Sequence, residues 1–270
     1  MTPRTFRPAR KTAAVLVALA SAAAPIALGV LLPPPCNAQQ PPQTPSPVAQ
    51  SRELLRQQQY AELDRRMNGY QEAYRNGTLD EFSLLQAFAA FSLADPALAS
   101  HFDAWIAAYP NSYAARLARG IYYFKSGVQT RGTRFAEHTT EAQINGMKFY
   151  LAKSRPDLQA SLALDPKPLV SYNYLIRIGM EFGDHDGNRQ LLAAALRLDP
   201  VALIARRPYL ISLETRWGGS LSEMVNFLED SRNAGLSDSQ LATLDKVVDA
   251  EREWLKRHQG EPAAATADAQ

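Results

Sequence analysis

Apolar side chains recur at steps of three and four residues along most of the chain. This spacing places them on one face of an α-helix, and no strand-type alternation persists. The clearest stripes are Leu98, Phe102, Trp105 and Tyr109; Ile144, Met147, Leu151, Leu158 and Leu162; and Leu241, Leu244, Val248 and Leu255. The pattern predicts an all-α fold of about ten helices, in which Pro156 kinks or restarts one helix.

Capping residues mark where these helices begin and end. A hydroxyl residue followed three positions later by Glu or Gln predicts a capping box, in which side chain and backbone satisfy each other's hydrogen bonds. Such boxes are predicted at Thr78, Thr140, Ser220 and Ser237. Three Asp-Pro pairs, at Asp95, Asp165 and Asp199, predict further helix starts, because proline is tolerated in the first turn.

A short repeat gives the helices an order. Leu-Asp-Pro occurs at 164–166 and again at 198–200, an offset of 34 residues, which is the tetratricopeptide period. The residues between fit two helices joined by a turn near Gly183-Asp184. Ile176, Gly179 and Asn188 depart from the usual residues of such a repeat. The prediction is a tetratricopeptide-like α-solenoid with degenerate repeats, the earlier one interrupted by an insertion at about 125–145.

Several strings resemble those of an uncharacterised bacterial domain family of unknown function, related to tetratricopeptide repeats. They are Trp-Ile-Ala-Ala-Tyr-Pro at 105–110, Arg-Gly at 131–132, the two Leu-Asp-Pro strings, and Arg-Trp-Gly-Gly-Ser at 216–220. The resemblance covers most of 51–235. It implies a helical repeat fold, and it implies no activity, cofactor or partner.

The N-terminal 38 residues have the pattern of an export signal. Four basic residues lie within 1–12, an apolar stretch covers 13–32, and small residues stand at Cys36 and Ala38. Cleavage after Ala38 is the first interpretation, and it predicts a periplasmic or secreted bacterial protein. The stretch is also long enough for an uncleaved anchor in the inner membrane, facing the periplasm. Acylation of Cys36 is a third reading, which Pro35 disfavours.

The remaining chain divides into three parts. Residues 39–50 are rich in Pro and Gln and predict a linker, residues 51–258 predict the tetratricopeptide-like helical domain, and residues 259–270 predict a disordered tail. Whether 51–95 forms a capping pair of helices or a small separate subdomain is open at this point.

Charge and cysteine content exclude some classes of function. The chain has 29 basic and 27 acidic residues, but the first 38 hold four basic and no acidic ones. The remainder therefore has 25 basic and 27 acidic residues, a net charge of −2, which removes the main support for nucleic-acid binding. A single cysteine excludes a disulfide framework. A membrane is expected as a partner only if the N-terminal segment stays uncleaved.

Two groups of residues are candidates for binding. In a tetratricopeptide-like arrangement the first helices line a groove, which would receive Asn173 and Arg177, and such a pair suits a peptide backbone or terminal carboxylate. Arg131 and Arg134 lie in the insertion, where a long connection often carries a ligand loop.

Arg216 and Trp217 precede two glycines and a helix start, which could bind an anion or form a structural joint. The structural interpretation of this string is the favoured one, since glycines commonly end one helix before a capped successor.

Neither a catalytic nor a metal-binding constellation is recognisable. The four histidines, His101, His138, His185 and His258, have no partner at helical spacing, and no cofactor motif is present. We therefore expect a non-catalytic scaffold that binds an unidentified envelope protein or peptide. The alternative is a cell-envelope enzyme acting on wall glycan or peptide, with Glu214 as its acid.

Overall fold

The computed structural model describes residues 46–133 and 138–258, and within these ranges every regular element is a helix. The all-α class is therefore confirmed, with eleven α-helices where about ten were expected. Their bounds are α1 Pro47–Arg56, α2 Tyr60–Arg75, α3 Glu81–Phe88, α4 Ala99–Ala108, α5 Tyr113–Arg131, α6 Glu141–Leu162, α7 Leu169–Glu181, α8 His185–Leu198, α9 Leu203–Ser212, α10 Leu221–Asn233 and α11 Asp238–Arg257.

Helix α1 begins inside the stretch that the sequence assigned to the linker. The Ser46 hydroxyl accepts a hydrogen bond from the Ala49 amide at 3.2 Å, and Pro47 takes the first helical position. The linker prediction is therefore wrong for 47–50. The predicted signal or anchor, the rest of the linker to residue 45, and the tail at 259–270 lie outside the described residues.

Most predicted helix starts hold, and one is displaced. Full capping boxes form at Thr140 and Ser237, and Ser220 caps α10 by accepting from the Glu223 amide. The box at Thr78 does not form. Asp80 caps α3 instead, because its carboxylate accepts from the Ser83 amide at 2.8 Å, while the Thr78 hydroxyl donates to the Ala73 carbonyl.

Only the first of the three Asp-Pro pairs starts a helical turn directly. Asp95 caps the short 3-10 segment Pro96–Leu98. The Asp165 and Asp199 carboxylates also accept from the backbone amide two residues later, at 2.8 and 3.1 Å, but there the bond stabilises a turn that precedes the helix. The next α-helix begins four residues after each of these two aspartates.

Helices α5 and α6 form a close antiparallel pair. A Cβ added at Gly120 would lie 2.7 Å from the Leu158 side chain, and one at Gly127 would lie 3.2 Å from that of Leu151. The contacts run in opposite directions along the two helices, which makes the pair antiparallel. Glycine is needed at both positions because the backbone of α5 lies against leucines of α6.

Helix α6 passes through Pro156 without restarting, contrary to one of the two expectations. Contacts to α5 hold it on both sides of the proline. The Ser154 hydroxyl donates to the Gly120 carbonyl at 2.6 Å, and the buried Asp157 carboxylate accepts two hydrogen bonds from Arg119 at 2.7 and 2.8 Å. These bonds offset the backbone hydrogen bond that proline cannot donate.

The first three helices share one core with those that follow. Leu55, Leu63 and Leu84 are fully buried in the same hydrophobic cluster as Phe102 and Leu117. The N-terminal helices are therefore packed into the main core, which answers the question left open for residues 51–95. A second hydrophobic cluster extends from Leu210 to Val248.

Among the described residues no single helix is long and apolar enough to cross a membrane. The segments Glu81–Phe91 and Pro96–Ala108 together meet the length and composition criteria, but they join at an angle of 97°. Several of their large apolar side chains, including Phe91 and Trp105, are fully buried in the core, whereas Phe82 is 69% exposed.

Candidate functional site

Arg177 on α7 is half-buried, lies over Phe124 of α5 and interacts electrostatically with Arg207 of α9; we call this region the α5–α7–α9 face. Its guanidinium carbon is 4.5 Å from the ring centre of Phe124 on α5 and 5.2 Å from that of Tyr174 on α7. Within the described ranges Arg177 forms no salt bridge with an acid. A positive charge is thus held on two aromatic rings, which attract it through their electron-rich faces.

The surroundings of Arg177 disfavour its charge. Burial lowers the pKa of the guanidinium, the Tyr174 hydroxyl and the Glu181 carboxylate act in the opposite direction, and the charge of Arg207 on α9 lowers it again. Arg207 itself is exposed. Two neighbouring arginines without a salt bridge in the described structure make this part of the face attractive to an anion.

Asn173 does not reach the groove in which the sequence placed it. Its side chain is 7% exposed, and its amide nitrogen donates to the Ile204 carbonyl at 2.8 Å, so that it joins α7 to α9 from inside. The amide oxygen of Asn173 is buried without a partner among the described groups. Asn173 precedes Arg177 by one turn of α7 but is part of the helix interface, because a short side chain on that turn meets α9.

Arg131, at the end of α5, borders the same face. Its guanidinium lies 3.6 Å from the Glu181 carboxylate and 5.9 Å from the ring centre of Trp217. Burial raises the pKa of Glu181, and the charges of Arg131 and Arg177 lower it. The structure thus brings Arg131, Arg177 and Trp217 into one neighbourhood. Arg134, the other predicted residue of the insertion, lies outside the described residues.

The Arg-Trp-Gly-Gly-Ser string forms a joint between α9 and α10. Gly218 has a φ of +89°, and a Cβ at Gly219 would lie 2.3 Å from the Leu213 carbonyl oxygen, so both positions need glycine. The two glycine amides donate to the carbonyls of Thr215 and Glu214. They are therefore already engaged, and the anion site considered for this string does not form through them.

Arg216 and Glu214 form an ion pair beside this joint. The Arg216 Nε donates to the Glu214 carboxylate at 2.6 Å. Burial raises the pKa of Glu214, Arg216 lowers it, and the negative charge of Glu251 raises it. The Arg216 guanidinium is thus paired with the Glu214 carboxylate, which leaves fewer of its N–H groups to bind a ligand. The indole nitrogen of Trp217 is buried with no hydrogen-bond partner among the described groups.

The binding residues predicted from the sequence do not include four residues of the face, namely Phe124, Tyr174, Glu181 and Arg207. A helical signal existed for Glu181, because it follows Arg177 by four residues and therefore lies on the same side of α7. No sequence signal could place Phe124 or Arg207, since both reach the site from other helices.

Within 46–133 and 138–258, no group of three His, Cys, Asp or Glu side chains is placed to hold a metal ion. His185 lies beside Gly218, with its Nε2 3.0 Å from where a Cβ of that glycine would stand.

Within the described ranges the chain is an all-helical domain. A family model described as "Domain of unknown function (DUF4034)" matches residues 47–192, which is more than half of the chain. The chain belongs to this family. Neither a curated protein nor a solved structure matches it. The matched segment ends within α8, so it includes Arg131 and Arg177 but not Arg207.

Proposed function

We propose that this protein is an exported, non-catalytic helical-repeat scaffold that binds a protein segment on the α5–α7–α9 face. The ligand group that meets Arg177 is a carboxylate, either a chain terminus or an acidic side chain. The observation that carries the proposal is the Arg177 guanidinium, held on Phe124 and Tyr174 without an acid partner in the described structure.

The packing order of the helices supports a repeat arrangement. Helix α7 packs against α5, α6, α8 and α9, as the first helix of a repeat packs against its own partner and both neighbouring repeats. The two Leu-Asp-Pro strings occupy equivalent turns after α6 and α8, and α7 and α9 begin 34 residues apart. A salt bridge of 2.8 Å from Lys167 to Asp199 links these two turns.

A carboxylate on Arg177 would restore the charge balance of the face. Arg177 and Arg207 are adjacent cations, and Glu181 is shared with Arg131. A bidentate bond from a guanidinium to a carboxylate is among the stronger polar contacts in proteins, particularly where water is partly excluded. Phe124 and Tyr174 fix the guanidinium in advance, which reduces the conformational entropy lost on binding.

The proposed location follows from the sequence. The basic residues of 1–12, the apolar stretch 13–32 and the small residues before Gln39 support export to the periplasm. An anchored form facing the periplasm would present the same face to the same partners.

The test is crosslinking in the native cell with a photoreactive residue at position 207, and with one at Lys246 on α11 as control. We expect one dominant protein partner at position 207 that is absent at 246. The variant Arg177→Gln should lose this partner while the thermal unfolding midpoint is retained. Retention of the partner by Arg177→Gln would refute the carboxylate contact.

The alternative function is an envelope enzyme, and one observation favours it. Glu214 is 5% exposed, and both burial and the nearby Glu251 raise its pKa, as an acid catalyst requires. Turnover of purified wall material that Glu214→Gln abolishes would support this alternative. Arg216 opposes it, because its ion pair stabilises the deprotonated carboxylate.

A further inference from the structure

A cavity of about 430 Å³ lies between α2, the turn from α4 to α5 and the turn after α6. Both turns overlap with strings that the sequence singled out, at 105–110 and 164–166. The α2 wall is a polar stripe with steps of four, three and four residues, which places its members on one face of the helix. They are Asp64, Asn68, Gln71 and Arg75. We call this cavity the α2 cavity.

The amide donors of the stripe are already used by the protein itself. The Gln71 amide nitrogen donates to the Asp165 carboxylate at 2.8 Å and to the Lys167 carbonyl at 3.0 Å. The Asn68 amide nitrogen donates to the carboxylate and to the backbone carbonyl of Asp64, both at 3.0 Å. A primary amide carries two N–H groups, so neither side chain keeps a free one for a ligand.

Two acceptors of the same stripe lack the partner that their chemistry calls for. Gln71 is 1% exposed, and its Oε1 has no hydrogen-bond partner among the described groups. The Asp64 carboxylate accepts from the Trp105 indole and the Asn68 amide, which are neutral donors, and it forms no salt bridge within 46–133 and 138–258. Because buried polar groups are nearly always paired, an unpaired acceptor in a cavity wall indicates a donor supplied by a ligand.

The charged residues of the cavity wall leave one carboxylate unbalanced. The guanidinium of Arg75, an exposed residue, lies 3.4 Å from the carboxylate of Asp165, which is buried, so these two charges offset each other. Asp64 is half-buried, and its charge is therefore screened by water less than that of a surface carboxylate. The cavity thus favours a ligand that is a cation and donates hydrogen bonds.

We infer that the α2 cavity binds the alkylammonium group of a small organic amine. An ammonium at Asp64 supplies both the missing positive charge and the missing N–H donors. The alkyl part has an apolar surface to lie on, since Tyr109, Pro110 and Leu164 also line the cavity. The volume is within the range of small-molecule sites in proteins.

The experiment measures binding of three five-carbon probes to the purified protein by isothermal titration calorimetry, at neutral pH and fixed ionic strength. The probes are diaminopentane, pentanediol and pentanedioate, which share a chain length and differ in charge. We expect saturable binding of diaminopentane and no binding of the other two. No binding of diaminopentane, or equal binding of pentanediol, would overturn the inference.

A charge-removing variant tests whether the probe lies at Asp64. Asp64→Asn keeps an oxygen that accepts from Trp105 and removes the charge, so it should weaken binding of diaminopentane at least tenfold. Asp245→Asn makes the same change at an exposed position of α11 and should leave binding unchanged. Equal binding by the wild type and Asp64→Asn would show that the diamine binds elsewhere, which contradicts the assignment.

Arg75→Gln is a second variant that keeps the test decisive if Asp64→Asn does not fold, as judged by circular dichroism. Arg75 is exposed, so its replacement should preserve the fold. It also frees the Asp165 carboxylate for the second ammonium of the probe, and binding should become about twofold tighter or more. Unchanged or weaker binding would count against an ammonium in this cavity.

A lysine side chain of another protein carries the same chemical group, and a blocked lysine separates the two sources. Nα-acetyl-lysine methylamide should bind more weakly than diaminopentane. Tighter binding of the blocked lysine would overturn the assignment to a free amine. Arg177→Gln should bind diaminopentane normally, because Arg177 does not line the cavity, so failure here is distinguishable from failure of the proposed function at the α5–α7–α9 face.

Discussion

The side chain of Asn188 on α8 fills the space above Gly179 on α7. A Cβ added at Gly179 would lie 2.0 Å from the Asn188 Oδ1, closer than any real contact. Both residues depart from the usual repeat pattern, and in the structure the larger residue of one helix is accommodated by the missing side chain of the other. The pair sets how closely α7 and α8 approach.

We expect Gly179→Ala to destabilise the protein by about 1–3 kcal/mol, because overpacking forces the helices apart. In the background of Asn188→Ala the same change should cost less than half as much, since the obstructing amide is gone. Urea unfolding of the four proteins in a double-mutant cycle measures this coupling. Additive losses would show that the two residues do not compensate each other.

This pair also shows what the sequence could and could not predict. Comparison with the 34-residue repeat singled out Ile176, Gly179 and Asn188 as exceptions. Gly179 and Asn188 are nine residues apart in sequence, and this separation does not show that they touch across the turn between α7 and α8. The all-α class and most helix caps could be predicted from the sequence, because each depends on residues no more than four positions apart.

The α5–α7–α9 face could be predicted only in part for the same reason. The position of Arg177 on α7 was enough to predict it as a binding residue. The same spacing assigned Asn173 to the groove, because spacing within one helix cannot show that α9 packs over Asn173. The start of α3 is a smaller example of the same limit. Thr78 was predicted to cap this helix, and Asp80, two residues later, caps it instead.

Glu81 gives the protein a predictable response to pH. Its carboxylate accepts from the Ile204 amide at 2.8 Å, at the start of α9. Burial raises its pKa to about 7, the negative charge of Asp199 contributes to the increase, and Lys167 opposes it. The folded state therefore binds this proton more tightly than the unfolded state, so its contribution to stability is full at low pH and is lost as pH rises through about 7.

We expect the free energy of unfolding to fall by about 1–3 kcal/mol between pH 5 and pH 8.5 through this group. Glu81→Gln keeps an oxygen that accepts from the Ile204 amide but does not titrate, so its stability should change less over the same range. Chemical unfolding at several pH values tests this, and Glu53→Gln on the exposed side of α1 is a control that should leave the dependence unchanged. Equal slopes for wild type and Glu81→Gln would exclude the assignment.

Asp157 joins α5 to α6 through a buried ion pair with two arginines. Arg119 binds it through two bonds, and the Arg116 guanidinium lies 3.2 Å away. Asp157→Asn keeps the shape and removes the charge, which leaves Arg116 without its counter-ion and Arg119 with only its exposed partner Asp103. We expect a loss of about 2–4 kcal/mol.

Asp249 offers the matched comparison for Asp157. It pairs with Arg252 at 2.7 Å, but both side chains are largely exposed on α11. Asp249→Asn should cost less than about 0.5 kcal/mol, because surface ion pairs are screened by water. Thermal unfolding of the two variants side by side measures the difference, and equal losses would contradict the role given to burial.

Arg177 should behave in the opposite way from a structural residue. Its charge is partly buried, and its pKa is lowered by that burial, so the folded protein carries a cation that its surroundings do not favour. Arg177→Met keeps the apolar stem against Phe124 and removes the charge, and we expect it to leave stability unchanged or raise it by about 1 kcal/mol. Asn173→Ala, which removes a bond to Ile204, should instead lower stability by about 1 kcal/mol. If replacing Arg177 leaves stability unchanged or raises it, and also abolishes crosslinking of the partner at position 207, then Arg177 serves binding rather than folding. A clear loss of stability in Arg177→Met would make it part of the framework and would remove the main support for the α5–α7–α9 face as a binding site.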